Sequence, residues 1–180
     1  MGNLRCNVAD LLPRPGARRT VRCTVDGEVL GGTRVARLEG APVWVEVTLE
    51  RVVDGIVASG RVQVTYRAEC SRCLASLQRP LRLGFSELYE PEPTPGDTYR
   101  LERDVVDLEP ALRDTVLCEL PLRPLCRDEC AGLCPRCGAD RNVTVCTCEP
   151  AVPDPRWAPL AALATGPARR PGPAPDRKEP

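Results

Sequence analysis

Six of the eleven cysteines fall between Cys126 and Cys148. They run Cys126-x-x-x-Cys130-x-x-x-Cys134-Pro135-Arg136-Cys137-Gly138, then Cys146-Thr147-Cys148. A tetrahedral metal needs close thiolate pairs, and a C-x-x-C bend presents two sulfurs from one tight turn. Gly138 follows the second cysteine of such a bend and allows the backbone to turn without a Cβ clash. Upstream, Cys70-Ser71-Arg72-Cys73 repeats the spacing. The eight thiols match two four-cysteine zinc sites, or one site with spare ligands. Disulfides, a redox C-x-x-C and an iron–sulfur centre compete for the same residues. The chain opens Met1-Gly2-Asn3-Leu4-Arg5-Cys6 with no apolar run of signal-peptide length, so a reducing compartment and metal-bound thiols are expected. A redox C-x-x-C belongs to a βαβ unit, and the pattern predicts none.

Histidine is absent. That removes Ser-His-Asp and Cys-His catalysis, and it removes mixed cysteine–histidine zinc sites. An all-thiolate zinc site is closed and structural, so the composition argues against a zinc hydrolase. The formal net charge is zero, so no global field draws the chain to nucleic acid. Lys178 is the only lysine. No apolar stretch has the length to span a membrane.

The elements that position these cysteines read mostly as strands. Residues 18–24 and 33–39 are predicted strands, with Asp26-Gly27 and Gly31-Gly32 as turns. Val43, Val45, Val47 and Leu49 alternate with Trp44, Glu46, Thr48 and Glu50, the period of a strand. Asp54-Gly55 predicts a tight hairpin turn of positive φ, and Val57, Val62, Val64 and Tyr66 form the return. Alternation resumes at Leu81, Leu83 and Phe85, which puts Cys70 and Cys73 at the connection of two antiparallel strands. Val8 to Leu12 predicts a short turn or strand docked by Leu11 and Leu12. Leu108, Leu112, Val116 and Leu120 recur every four residues, predicting a helix over 108–119 with Asp107 as N-cap and Pro121 as its stop. Asp154-Pro155 signals a short C-terminal helix, with Trp157 as its anchor and Leu160 and Leu163 as its apolar face. The Pro-, Ala-, Arg- and Gly-rich tail over 166–180 is expected to be disordered.

Charge is local. Arg61, Arg67, Arg72, Arg79 and Arg82 stand against Glu69 alone, a charge of +4. Arg14, Arg18, Arg19 and Arg22 form a second run, either a solvated face or a phosphate-contacting patch. Residues 87–119 hold ten acids and three arginines, a charge of −7. Few aromatics flank the arginines, so base-stacking recognition of the single-strand type is not expected.

Five landmarks in this order resemble a known family. They are Cys70-x-x-Cys73-Leu74, the helix leading to Leu120-Pro121-Leu122, the Cys126…Gly132-Leu133-Cys134-Pro135-Arg136-Cys137-Gly138 block, Cys146-x-Cys148, and Asp154-Pro155-Arg156-Trp157. They resemble the YceD family, the large ribosomal RNA subunit accumulation proteins, over roughly residues 5–165. The resemblance implies a bacterial, cytoplasmic ribosome biogenesis factor required for normal 23S rRNA levels in the large subunit. Its implied partner is ribosomal RNA or an early large-subunit ribosomal protein, with no small-molecule substrate and no membrane. Relatives do not all keep the C-terminal cysteines, which implies a scaffold role for the metal. Two other functions compete: a magnesium-dependent rRNA-processing nuclease using the acids of 87–119, and a zinc-stabilised protein adaptor without RNA contact.

The expected fold class is α+β: an antiparallel β-sheet of hairpins with one or two helices and a cysteine-rich, zinc-ribbon-like module at the C-terminus. The expected domains are a sheet domain over 1–120, a zinc-binding module over 121–165 and a tail over 166–180. One or two structural zinc ions are expected. Close pairs separated by a short loop favour Cys134, Cys137, Cys146 and Cys148 as one set, with Cys126 and Cys130 joining Cys70 and Cys73. Cys6, Cys23 and Cys118 read as small apolar residues or incidental thiols.

Overall fold

Period-two alternation governs much of the chain before residue 107, and that part folds as a sheet. The computed structural model describes residues 3–38, 40–149 and 154–160. Its strands are β1 (Arg5–Asn7), β2 (Arg18–Asp26), β3 (Ala36–Arg37), β4 (Pro42–Arg51), β5 (Ile56–Glu69), β6 (Ser76–Glu90), β7 (Tyr99–Glu102) and β8 (Val105–Asp107). One α-helix, α1 (Glu109–Glu119), follows, and two short 3-10 segments occupy Gly27–Val29 and Pro155–Leu160. The chain divides into two compact units, Met1–Thr144 and Val145–Pro180. The expected antiparallel hairpins with few helices are present, in a curled sheet, and the α+β class narrows to mainly β.

The sheet order is β1-β8-β7-β6-β5-β4-β2, with β3 against β5. The pairs are antiparallel except β6 with β7, where Tyr89 and Tyr99 face each other in parallel and their rings stack at 5.4 Å. The inner face carries Val43, Val45, Val47 and Leu49 from β4 and Ile56, Ala58, Val62 and Val64 from β5, all buried. On the outer face Trp44 pairs across to Gln63 and Glu46 to Arg61. The α1 stripe of Leu108, Leu112, Val116 and Leu120 is buried against the same core. Burying each such side chain is worth about 1.5–3 kcal/mol.

Several local expectations need correction. The strand expected over 33–39 shrinks to Ala36–Arg37. Strands β7 and β8 were hidden by acids on their flanks, because Leu101 and Val106 are the only fully inward residues of such short runs. The β4–β5 turn does not use a positive φ at Gly55. Glycine is required there because a Cβ would run into the Tyr89 carbonyl. Leu108, not Asp107, occupies the α1 N-cap; the Asp107 carboxylate accepts from the Glu109 amide, one position early. Leu120 is extended at φ −67, ψ 134, as a residue before proline must be. In the second unit Pro155–Leu160 is a 3-10 turn in which Trp157 is 63% exposed, not the buried anchor expected. Leu163 and the expected disordered tail lie outside the described residues. Among the described residues no helix is long and apolar enough to cross a membrane.

Candidate metal centre

Two cysteine clusters could hold a metal ion. The first is Cys70, Cys73, Cys126 and Cys130, whose sulfurs lie within 4.8 Å of one another. Its first pair sits in the turn between β5 and β6. There the Leu74 amide donates to the Cys70 carbonyl at 2.9 Å and the Cys70 amide to the Ala75 carbonyl at 2.8 Å. Leu74 adopts φ +61 to close the turn. The Cys134 to Ala139 turn repeats this geometry: Gly138 donates to Cys134 at 2.9 Å, Cys134 to Ala139 at 2.8 Å, and Gly138 has φ +73. Leu74 therefore does, with strain, what Gly138 does freely.

Backbone contacts bring the second pair to the first. The Ser71 amide donates to the Pro124 carbonyl at 2.8 Å, and the Leu133 amide to the Arg72 carbonyl at 2.9 Å. Arg72 donates through its guanidinium to the carbonyls of Cys130 at 2.9 Å and Asp128 at 3.2 Å. Arg79 donates to the Cys126 carbonyl at 2.7 Å. Cys70, Cys73, Leu77 and Cys130 form a buried cluster of their own, with Leu125 and Leu133 against it.

The sulfur geometry suits one ion. Cys70 Sγ and Cys130 Sγ are 3.8 Å apart, and Cys73 Sγ and Cys126 Sγ are 3.7 Å apart. Four sulfurs bound about 2.3 Å from a tetrahedral zinc stand about 3.8 Å apart. A disulfide needs about 2.05 Å, and none joins these four residues. The Cys73 amide pulls the Cys70 thiol down to about 6. Burial raises Cys130, but the Asn142 side chain and the Gly132 amide hold it below the ordinary thiol value. For Cys73 the Ala75 amide acts downward, yet burial and the neighbouring thiols push it up to about 12. Cys126 is raised by its bond with Cys130 and by burial. Two thiols are held below the ordinary value and two above it, and a central divalent cation would favour the thiolate form of all four.

Asn142 escaped the sequence reading. Its Nδ2 donates to Cys130 Sγ at 3.4 Å, while its Oδ1 accepts from the Ala131 amide at 2.9 Å and from Arg127 at 2.8 Å. It orients a sulfur rather than supplying one, and its place twelve residues from Cys130 left no spacing signal.

The second cluster is Cys134, Cys137, Cys146 and Cys148. Cys134 and Cys137 belong to the first unit, and Cys146 and Cys148 to the second. Cys134 is buried in the turn given above, and Cys137 is exposed. In the other pair the Cys148 amide donates to Cys146 Sγ at 3.4 Å. Of the remaining cysteines, Cys6 is buried, Cys23 half-buried and Cys118 exposed.

The arginines part into two kinds. Arg18 pairs with Glu50 at 2.7 Å, Arg19 with Asp10 at 2.8 Å and Arg22 with Glu46 at 2.8 Å, so that run is largely neutralised on the surface. Arg72 and Arg79 are committed to the cysteine loop rather than to a free basic face. Trp44, 60% exposed, lies on the outer face with Arg22 and Arg61, one of the few aromatics beside the arginines. The acids of 87–119 do not converge: among the described residues, the groups able to hold a metal are the two cysteine sets.

Comparisons with known proteins give one family and several relatives. The family described as large ribosomal RNA subunit accumulation protein YceD matches residues 58–164. An uncharacterized protein of Mycobacterium tuberculosis is 31% identical over 172 residues, covering 87% of this chain and 79% of the relative. An uncharacterized protein of Mycobacterium leprae is 32% identical, covering 87% and 76%. The chloroplastic large ribosomal RNA subunit accumulation protein YCED homolog 1 of Arabidopsis thaliana is 24% identical, covering 69% of this chain and 49% of its own. No solved structure matches the chain.

Proposed function

Because this chain belongs to the YceD family of large ribosomal RNA subunit accumulation proteins, we propose that it is a non-enzymatic, cytoplasmic ribosome biogenesis factor. It supports accumulation of 23S rRNA, through contact with that RNA or with an early ribosomal protein of the large subunit. The observation that carries this is the family match over residues 58–164, which includes most of β5, all of β6 and all eight of the cysteines that could hold a metal.

Zinc has a scaffold role in this proposal. Cys70, Cys73, Cys126 and Cys130 would hold one ion, and Cys134, Cys137, Cys146 and Cys148 a second. Zinc would supply cross-linking of segments too short to bury a core of their own. Four thiolates fill a tetrahedral coordination shell, so no position stays open for substrate. The chain contributes the rest: Arg72, Arg79 and Asn142 orient the loops that carry the sulfurs. The cysteine-rich module over 121–165 acts with the sheet domain as one scaffold.

Depletion of the protein in its source organism tests the reading, with the ratio of large- to small-subunit rRNA as readout. The ratio should fall and recover with the wild-type gene. An unchanged ratio would refute the assignment. Magnesium-dependent cleavage of rRNA fragments by the purified protein would replace it with the nuclease.

A further inference from the structure

The outer face of the sheet holds cations that no described residue neutralises. Among the described residues, Arg37, Arg61, Arg67 and Arg82 make no ion pair, whereas Arg18, Arg19 and Arg22 each do. Arg37 and Arg67 stand directly opposite each other across β3 and β5. Like charges directly opposite are destabilising, so the fold carries this pair at a cost that a bound anion would remove. Together with Arg34 they line a cavity of about 520 Å³, where Glu69 is the single acid, a local charge of +2.

An aromatic ring lies on the same face. Trp44 is 60% exposed in the middle of the sheet, opposite Gln63. Gln63 is itself opposite Arg82. Trp44 and Arg61 line a second hollow of about 540 Å³. Both hollows lie along β5. Arg61 and Arg67 are six residues apart on that strand, about 20 Å, room for a few nucleotides. A single strand offers alternating phosphates and bare base faces, and this track offers alternating guanidinium groups and an indole. A duplex hides its base faces and gives the indole nothing to stack on.

We propose that the outer face of β4, β5 and β6 is a platform for single-stranded RNA, on which Trp44 stacks a base and Arg37, Arg61, Arg67 and Arg82 hold phosphates. This rests on the large-subunit rRNA function above and deepens it by naming the form of the RNA and the surface that takes it. Arg72 and Arg79 are excluded from the platform, since both are bonded to the cysteine loop.

The test uses the full chain carrying Trp157→Phe, which leaves Trp44 as the only indole. Titration with a single-stranded RNA of about 12 nucleotides should quench Trp44 fluorescence, and the matched duplex should bind more weakly. Trp44→Ala, in a wild-type background followed by filter binding, should weaken affinity about tenfold. Arg37→Gln with Arg67→Gln should lower the slope of log affinity against log salt by about 1.4, two contacts at about 0.7 each. Its thermal midpoint should stay level or rise, an outcome that a structural role for the pair would not produce. Equal affinity in both variants, equal affinity for duplex, or binding of an acidic peptide such as polyglutamate in place of RNA would overturn the platform. Depletion separates the two claims. If rRNA falls on depletion and both variants restore it while binding RNA normally, the surface is wrong and the function stands. If rRNA is unchanged on depletion while the variants lose RNA as described, the platform stands and the function is wrong.

Discussion

Cys130→Ser is the sharpest perturbation of the first metal centre. The residue is 3% exposed, its sulfur is 3.8 Å from Cys70 Sγ, and it accepts from the Asn142 amide. Serine preserves the size and the hydrogen bond but does not ionise near neutral pH, so one of four ligands is lost. A structural zinc in a small module contributes about 10–16 kcal/mol to folding. Loss of one ligand in four then corresponds to about a 10²–10³-fold drop in zinc affinity. Zinc content should fall from two ions per chain to one after dialysis against a mild chelator. Hydrogen exchange should rise over residues 124–133, where the Ser71–Pro124 and Leu133–Arg72 bonds depend on the closed loop. The β4–β5 hairpin should keep its protection, since Val43, Val45, Ile56 and Val62 belong to the main core cluster and not to the cluster of Cys70, Cys73, Leu77 and Cys130. Cys118→Ser, at an exposed thiol on α1, serves as the control and should change neither quantity. Undiminished zinc content and unchanged exchange in Cys130→Ser would refute the four-thiolate site.

Other outcomes follow from local geometry. Leu74→Gly relieves a φ of +61 at a side chain that is 60% exposed, so it should raise the unfolding free energy by about 0.5–1 kcal/mol in urea titration, with zinc content intact. Leu112→Ala empties a fully buried position under the sheet and should cost about 2–5 kcal/mol by the same assay. The Tyr89 hydroxyl is buried without a hydrogen-bond partner among the described residues, so Tyr89→Phe should leave stability level or raise it by about 1 kcal/mol at neutral pH. Burial first, then the charge of Tyr99, holds the Tyr89 hydroxyl above the ordinary tyrosine value. With the folded pKa above the unfolded value of about 10, its contribution is whole below that pH and declines as pH rises beyond it. Stability curves from pH 8 to 11 should therefore fall less steeply in Tyr89→Phe than in wild type. Arg72→Ala should loosen the cysteine loop and weaken zinc binding severalfold, measured by chelator competition; an unaltered competition curve would deny the orienting role of its two carbonyl contacts.

What the sequence determined by itself was local. The alternation of Val43, Val45, Val47 and Leu49 specified which face of β4 is buried, because side chains on a strand alternate whatever the partner. The four-residue stripe from Leu108 to Leu120 specified the buried side of α1 in the same way. Each C-x-x-C turn was legible because four adjacent residues set it. Tertiary structure decided the rest. Cys70 and Cys130 are sixty residues apart, and their approach depends on the β5–β6 turn meeting the chain after Pro121. No periodicity reports on that meeting, which is the sum of backbone bonds such as Ser71 to Pro124 and of guanidinium contacts from Arg72 and Arg79. The same limit hid Asn142, the strand pair β7 and β8, and the reason for Gly55, which answers to the Tyr89 carbonyl rather than to its own turn. It also hid the row from Trp44 through Gln63 to Arg82, since strand register, not sequence spacing, sets which outward side chains stand together.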